Sequence, residues 1–223
     1  MIEAPSRSLI VRAAILVPAA LAVWWFLLRV ASLWALRNLA WLPLALLIAP
    51  AGHDPIRVDP RTGEWVCNVE VNTGARNQQT GQLEHVDSVE IAFRKTDAAV
   101  YASGWFSYLA LALSTAPFSR KQAKRVLCGF GLQTAVNVLC LVAYVYILGY
   151  GTLINSPGSP DARVWWVRYF DHINTLVIPF AGPFVIAMLL HPEWRAYAGF
   201  ALPERRGVEK SGAAAANAKR KRL

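Results

Sequence analysis

Charged residues are scarce in this chain. Only 17% of its 223 residues are Asp, Glu, Lys or Arg, whereas ordinary soluble domains carry about 25%. Hydrophobic residues make up 55% of the chain, and nine residues are Trp. This composition argues against a soluble globular protein. It predicts an integral membrane protein with one membrane domain and a small soluble insertion.

Cysteine and histidine are also few, and their spacing argues against the common metal sites. The three cysteines, Cys67, Cys128 and Cys140, form no CxxC pair, and no His lies at a zinc-ligand spacing from them. No metal is therefore predicted, and the lack of P-loop and dinucleotide motifs predicts no cofactor. Only Cys67 lies in a polar segment, where we expect it to be buried on the apolar face of a strand rather than disulfide-bonded.

Catalytic motifs are absent as well. The sequence contains no GxSxG or HExxH, and its four histidines are scattered. The best polar cluster is His172 with Asp171 and Asn174, which would suit an acid/base pair or, as we favour, polar residues that cap a helix at the interface. We therefore predict a non-enzymatic protein. The alternative is a small membrane enzyme that acts at the outer membrane–water interface through His172 and Asp171.

Long apolar runs dominate what is present. Four runs reach the roughly 20 residues that a membrane-spanning helix needs, and they cover 9–28, 99–118, 126–149 and 172–190. We expect Pro179 and Pro183 to kink the fourth span.

A few polar residues lie within or beside these runs. Arg12 lies near one end of the first span, where its side chain can snorkel to the interface. Gln133 and Asn137 lie in the third span, where we expect them to hydrogen-bond a neighbouring helix. With His172 and Asn174, they complete the predicted set of intramembrane polar residues.

The stretch 30–50 is apolar enough for a fifth span, but the cations argue against one. Lys and Arg gather at 119–125 and after His191, and such clusters beside spans remain on the cytoplasmic side. Four spans keep the amino terminus, the basic loop and the tail on that side, whereas a fifth would separate the loop from the tail. We predict that 30–50 is a helix in the outer interface; a re-entrant hairpin bent at Pro43 is the alternative.

The distribution of charge also argues against nucleic-acid binding, although the formal net charge is +9. The large polar segment 51–97 is acidic, with eight Asp and Glu against five Lys and Arg. A nucleic-acid groove needs a continuous basic patch, and the cations here lie in two short segments beside apolar runs. Membrane lipid is the partner that this pattern predicts.

The segment 51–97 carries a strand pattern. In GEWVCNVEVN, at 63–72, apolar residues alternate from Trp65 to Val71, and they alternate again from Val89 to Phe93. Two such runs predict an antiparallel hairpin on the extracytoplasmic side. About 47 residues are too few to fold robustly alone, so we expect the hairpin to rest on a helix, a loop or a partner.

This predicted hairpin is the candidate contact surface for a protein partner. An exposed strand edge can accept an added strand from another chain. The residues predicted to bind a partner are Glu64, Trp65, Glu70, Glu90 and Phe93.

The predicted fold class is a mainly α membrane protein with four transmembrane helices, an interfacial helix and a small antiparallel β insertion on the outer face. The predicted units are an anchor and interfacial helix (1–50), an extracytoplasmic β segment (51–97), a three-helix membrane region (98–193) and a basic, disordered cytoplasmic tail (194–223).

The order of these features resembles a known family. An anchor containing VPAALAVWWFLL precedes an apolar helix and a β-rich segment, and a span, the basic turn SRKQAKR and another span follow, before a last span of the form INTLVIPFAGPFVI. From about residue 9 to 193 this arrangement resembles the exosortase H-associated membrane proteins.

That resemblance implies an accessory role in protein sorting at the bacterial inner membrane. Exosortases are multi-spanning Cys/Arg/His transpeptidase-like enzymes that process proteins carrying a carboxy-terminal sorting helix. An exosortase-like membrane protein is the partner that the resemblance implies. The resemblance assigns no catalytic residue to this chain. Cys128 lies beside the basic loop, and no outer Arg and His match it as in the exosortases. The chain is therefore not expected to be the protease itself.

Overall fold

Helices make up most of the computed structural model, which describes residues 7–50, 52–71, 86–115, 119–154 and 169–199. In chain order the elements are α1 (Arg7–Val23), a π-helical turn (Trp24–Leu28), α2 (Arg29–Leu47), β1 (Arg57–Val58), β2 (Trp65–Val71), β3 (Val86–Phe93), α3 (Lys95–Ser114), α4 (Arg120–Ile154), a second π-helical turn (Ile173–Val177), α5 (Ile178–Leu190) and α6 (Pro192–Tyr197). The connection 72–85 and the tail from residue 200 lie outside the described residues.

The first span and the stretch 30–50 form one continuous helical segment, Ser8–Leu47, of 40 residues. The prediction of two separate helices is therefore wrong at their junction, where the backbone passes through the π-helical turn without leaving helical geometry. Trp24 Nε1 donates to Ser32 Oγ at 2.9 Å, and Ser32 Oγ donates to the Arg29 carbonyl at 2.9 Å. These bonds tie the two halves together. The helix also continues through Pro43, so no hairpin bends there.

α3 occupies the centre of the helix bundle. Thirteen of its 20 residues are buried, and it contacts α1, α2, α4 and α5. It corresponds to the predicted span 99–118, but it begins at Lys95 and ends at Ser114. The helix begins earlier because the Asp97 carboxylate accepts the Arg94 backbone N–H at 3.3 Å, which caps the first turn.

α4 is longer than the predicted span 126–149, because it includes the residues predicted as the basic loop. It begins at Arg120, directly after Ser119, whose Oγ accepts the Gln122 backbone N–H at 3.2 Å. A serine in this position satisfies one of the unpaired N–H groups at a helix start, and Lys and Arg are good helix formers. The four cations of 119–125 therefore lie in the first turns of a helix.

The last long helix runs over Tyr169–Leu190 and covers the predicted span 172–190. Its π-helical turn ends with the Ile178 N–H bonded to the Ile173 carbonyl, five residues back. Pro179 follows directly, lacks an N–H and cannot continue the usual four-residue pattern. The wider turn accommodates this proline within the helix.

Within the residues that the structure describes, three helical segments are long and apolar enough to cross a membrane, namely Ser8–Leu47, Arg120–Tyr150 and Tyr169–Leu190. The mainly helical membrane architecture predicted from sequence is confirmed at this level. α3 is not among the three, since Lys, Asp, Thr, Ser and Tyr interrupt its apolar residues.

The sheet has three antiparallel strands in the order β1-β2-β3. The predicted hairpin is confirmed, with Trp65 paired to Phe93 and Cys67 paired to Ile91. One face of β2 is buried as the alternation predicted, since Trp65, Cys67 and Val69 are each at most 2% exposed. The hairpin rests on helices, because these residues share one apolar core with α2 and α4.

The bundle has two distinct ends. β3 leads directly into α3, so the sheet lies at the end where α3 begins, here called the sheet end. At the opposite end Leu111 of α3 packs with Leu9 of α1 and Trp194 of α6. Gln122 Nε2 of α4 donates to the Thr115 carbonyl there at 2.8 Å. This second end is here called the basic end, because α4 contributes four cations, Arg120, Lys121, Lys124 and Arg125.

Candidate functional site

A chain of aromatic rings anchors the sheet on the helices. The rings of Trp65 and Phe93 are 5.9 Å apart, Phe93 and Tyr144 are 5.6 Å apart, and Tyr144 and Tyr101 are 5.8 Å apart. The first two contacts have edge-to-face geometry, which is favourable for aromatic pairs. These ring contacts join the sheet to α4, and α4 to α3.

This anchoring places two of the residues predicted to bind a partner inside the fold. Trp65 is 2% exposed and Phe93 is 5% exposed, so both side chains support the sheet from inside. They face inward because each occupies the strand face that packs on α4. The exposed part of the predicted contact surface is therefore carried by its acidic members.

Cys67 lies on the same inward face and is completely buried. It is a free thiol, as the sequence predicted. Burial raises the pKa of Cys67 to about 12, and the charge of Asp54 adds to the increase. At neutral pH the group is a protonated thiol and packs as a small apolar side chain.

The connection after α2 covers one edge of the sheet. The Glu70 N–H donates to the Ile48 carbonyl at 2.7 Å, and Asn68 Nδ2 donates to the Asp54 carbonyl at 3.4 Å. Trp41 Nε1 of α2 donates to Asp54 Oδ1 at 3.1 Å. Here β2 is bonded to the end of α2 and the residues after it, so this edge is occupied by the chain itself.

The outward face of the sheet carries three carboxylates, Glu64, Glu70 and Glu90, which we call the sheet acids. Glu70 and Glu90 are exposed and Glu64 is half-buried. Arg57 Nη2 lies 2.8 Å from Glu90 Oε2, and both side chains are more than half exposed, at 53% and 57%. Such an exposed pair contributes at most about 1 kcal/mol, so it leaves Glu90 available to exchange partners.

The polar pair predicted in the third span lies deep between helices. Gln133 Nε2 donates to Asn137 Oδ1 at 2.7 Å, and the two side chains are 0% and 1% exposed. α3 approaches them at Gly104, where an added Cβ would lie 2.6 Å from Gln133 Nε2 and 2.9 Å from Asn137 Oδ1. Among the described residues, the predicted hydrogen bonds to a neighbouring helix are not formed, because the two side chains, four residues apart on one face of α4, bond each other and pack against the backbone of α3.

The three polar residues predicted to cluster at 171–174 have separate surroundings in the structure. Asn174 is buried and donates to the Cys140 carbonyl at 2.8 Å and to the Tyr101 hydroxyl at 3.2 Å. Asp171 accepts from Thr175 Oγ1 at 3.3 Å, while His172 is exposed. Asn174 thus joins the last helix to α3 and α4, and the Asp171 carboxylate is bonded within its own helix.

Comparison with known families decides the identity of this arrangement. The model of the exosortase H-associated membrane protein family matches residues 3–194. The chain belongs to this family. No significant match was found among curated proteins or among solved structures.

The family assignment confirms the resemblance found in the sequence, and the match reaches Trp194 in α6. It identifies a membrane protein associated with exosortase. Among the described residues, no group of three or more His, Cys, Asp and Glu side chains could hold a metal ion. Arg12, the remaining predicted intramembrane polar residue, is exposed on α1.

A second polar cluster, which was not predicted from sequence, lies at the basic end. The Tyr108 hydroxyl donates to the Arg125 carbonyl at 3.2 Å and lies 3.3 Å from His191 Nε2. His191 is completely buried, and this burial lowers its pKa, so the ring is neutral at pH 7. Trp194 Nε1 donates to the Leu111 carbonyl at 3.0 Å. The one sequence signal was Pro192, which marks a helix start directly after His191.

Proposed function

We propose that the chain is a non-enzymatic accessory subunit of an exosortase-type protein-sorting system in the bacterial inner membrane. The observation that carries the proposal is the anchored sheet. Its inward face is fixed on α2 and α4, and its outward face carries the sheet acids. A rigidly held surface with exposed charges suits recognition of another protein, because little conformational entropy is lost on binding.

The proposed topology has four spans, with both termini in the cytoplasm and the sheet on the periplasmic side. α3, with 20 residues and a length of about 30 Å, separates the sheet end from the basic end. That length matches the hydrocarbon thickness of a bilayer. The cations of α4 lie at the same end as the start of α1 and α6, which fits retention of positive charge in the cytoplasm.

The stretch 30–50 is proposed to remain at the outer interface. Ser8–Leu47 would be about 60 Å long if straight, which is twice the hydrocarbon thickness. α2 contacts the sheet core and α4 rather than returning to the basic end. The second half of the segment therefore supports the sheet.

The buried polar residues of the spans have a packing role in this proposal. Gln133 and Asn137 bond each other beside α3, and Asn174 bonds α3 and α4. The Asn174 bonds hold the last helix in register with α3 and α4 under the sheet, while the bond between Gln133 and Asn137 stays within α4 and the pair packs on Gly104 of α3.

The sheet acids are proposed to meet a basic surface of the exosortase. The sheet acids lie in or directly beside the strands, and Glu90 pairs with Arg57 at an exposed site. Complementary charges at the rim of an interface mainly favour encounter and fix register. The interaction is therefore expected to weaken as salt concentration rises.

The test is co-purification of exosortase with the tagged full-length chain, from native membranes in mild detergent after crosslinking. The variant E64Q/E70Q/E90Q is expected to recover about tenfold less exosortase, since three contacts of about 0.5 kcal/mol each sum to about 1.5 kcal/mol, and about 1.4 kcal/mol corresponds to a tenfold change in affinity. The control E204Q/E209Q removes two carboxylates from the tail and should recover as much as the unaltered chain. Equal recovery with E64Q/E70Q/E90Q, or no exosortase with the unaltered chain, would contradict the proposal.

A further inference from the structure

Three cations surround one cleft at the sheet end. Arg29 and Arg37 of α2 and Lys95 of α3 line a cavity of about 280 Å³, and none of the described residues that line it is acidic. In the part of the chain that the structure describes, none of the three forms an ion pair with an Asp or Glu. Like charges gathered around one cavity repel each other, so the cavity favours an anion.

The cleft is preorganised by aromatic groups. The Arg29 guanidinium lies over the Trp25 ring, 4.5 Å from its centroid, which fixes the direction of this cation. Trp34 and Trp65 also line the cavity. Lys95 and Thr96 are the first two residues of α3, and Asp97, the third, caps this helix start, so the cations rather than the helix end supply the positive potential of the cleft. Two guanidinium groups and an ammonium group together suit phosphate oxygens.

An apolar groove adjoins this cleft. It has a volume of about 420 Å³ and runs between α1, α3 and α5, with Leu21, Trp24, Val100 and Phe180 among its lining. Thr96 lines both cavities. Trp25 lines the groove, and its ring makes the cation–π contact with Arg29, which lines the cleft. A molecule with an anionic head and an apolar tail could therefore occupy both cavities at once.

We propose that these two cavities form one binding site for an anionic phospholipid. The headgroup phosphate binds Arg29, Arg37 and Lys95, and one acyl chain lies in the groove beside Trp24 and Phe180. A free phosphate would use only the cleft, and a neutral lipid would use only the groove. The lipid comes from the leaflet at the sheet end. Because α2, α3 and the sheet meet at this site, the bound lipid fixes the sheet relative to the spans.

The experiment uses the purified full-length chain in nanodiscs and two photoactivatable lipids, phosphatidylglycerol and phosphatidylcholine, each with a diazirine in the acyl chain. After irradiation, labelled peptides are identified by mass spectrometry. We expect phosphatidylglycerol to label 21–25 and 96–103 about tenfold more than phosphatidylcholine does. We expect the variant R29Q/R37Q/K95Q to lose this preference, while R120Q/K121Q/K124Q, which removes three cations at the basic end, keeps it.

Three results would overturn the proposal. Equal labelling of these peptides by both lipids would show a groove without headgroup selection. If R29Q/R37Q/K95Q still prefers phosphatidylglycerol to phosphatidylcholine, the three cations do not bind the headgroup. Loss of labelling when inorganic phosphate alone is added in excess would show that the cleft binds a free anion. The comparison of the two lipids uses the unaltered chain. It therefore tests headgroup selection even if R29Q/R37Q/K95Q fails to fold.

Discussion

At the scale of single residues, glycines determine how closely helices approach one another. At Gly129 on α4, an added Cβ would overlap the Tyr108 phenol ring and lie 2.8 Å from Leu190 Cδ1. At Gly131, two residues along the same helix, an added Cβ would meet open space. The two glycines are alike in the sequence, and only the tertiary contacts distinguish them.

Gly129→Ala is expected to destabilise the protein by about 1–3 kcal/mol, the usual cost of overpacking a filled core. The added methyl displaces Tyr108 from the Arg125 carbonyl and from His191. Gly131→Ala is the matched control and should be neutral or slightly stabilising, since Ala favours a helix more than Gly does. Thermal unfolding in detergent compares the two variants. Similar melting temperatures for both would show that α4 packs differently from the arrangement described here.

His172 separates the accessory proposal from the enzyme alternative at the same scale. Its side chain is exposed, and the buried Asn174 bonds Tyr101 and the Cys140 carbonyl. His172→Ala is therefore expected to leave both exosortase recovery and maturation of the sorted protein within about twofold of the unaltered chain. Asn174→Ala is the companion variant and should lower thermal stability. Complete loss of maturation in a folded His172→Ala protein would favour an enzyme.

The buried face of β2 could be predicted from the sequence, because period-two alternation is a local property that survives folding. Cys67 was accordingly placed correctly on that face. The inward direction of Trp65 and Phe93 followed from the same pattern, yet both were also assigned to a partner surface. The cluster of Tyr108, His191 and Trp194 could not be predicted, since its members come from distant parts of the chain.

At the scale of elements, the main feature is the attachment of the sheet to α4. Tyr144 contacts Phe93 of β3 on one side and Tyr101 of α3 on the other. Tyr146 lies two residues further along α4, is exposed and stacks on Tyr150. The first tyrosine therefore connects the sheet to the bundle, whereas the ring contact of the second stays within α4.

Tyr144→Ala is expected to loosen the sheet, because each aromatic pair contributes about 0.5–1.5 kcal/mol beyond its buried area. The readout is labelling of Cys67 by iodoacetamide in a chain carrying Cys128→Ser and Cys140→Ser. Labelling should be slow in the unaltered sheet even at about pH 9, since burial raises the pKa of Cys67 to about 12. Tyr144→Ala should accelerate it about tenfold, and Tyr146→Ala should not. Equal rates in both variants would show that the sheet is held by other contacts.

The ends of elements were less predictable than their existence. The basic residues after Ser119 were assigned to a loop from their charge, although Ser119 was a visible capping signal. The continuous segment Ser8–Leu47 was divided at Arg29 because a span of about 20 residues was assumed. A π-helical turn leaves no reliable pattern in sequence, so the path through Trp24–Leu28 required the structure.

At the scale of the whole molecule, cations alone predicted which parts of the chain lie together. The amino-terminal helix, the basic residues before the third span and the segment after His191 were assigned to one side of the membrane, which stays a prediction. In the structure, Leu9 of α1, Leu111 of α3 and Trp194 of α6 pack at one end of the bundle. The sheet lies at the other end of α3. Charge placement is informative here because insertion into a membrane depends on it. The identity of a partner depends on a second surface, which this sequence does not contain.

The central claim is that the outward face of the sheet touches an exosortase, and site-specific photo-crosslinking in native membranes tests it most directly. A photoreactive amino acid replaces Glu90, which is exposed opposite Asn68 of β2, and in a separate chain it replaces Lys121 at the basic end. We predict an adduct that contains exosortase from position 90 and none from position 121. An exosortase adduct from position 121 alone, or no exosortase adduct from position 90, would contradict this account.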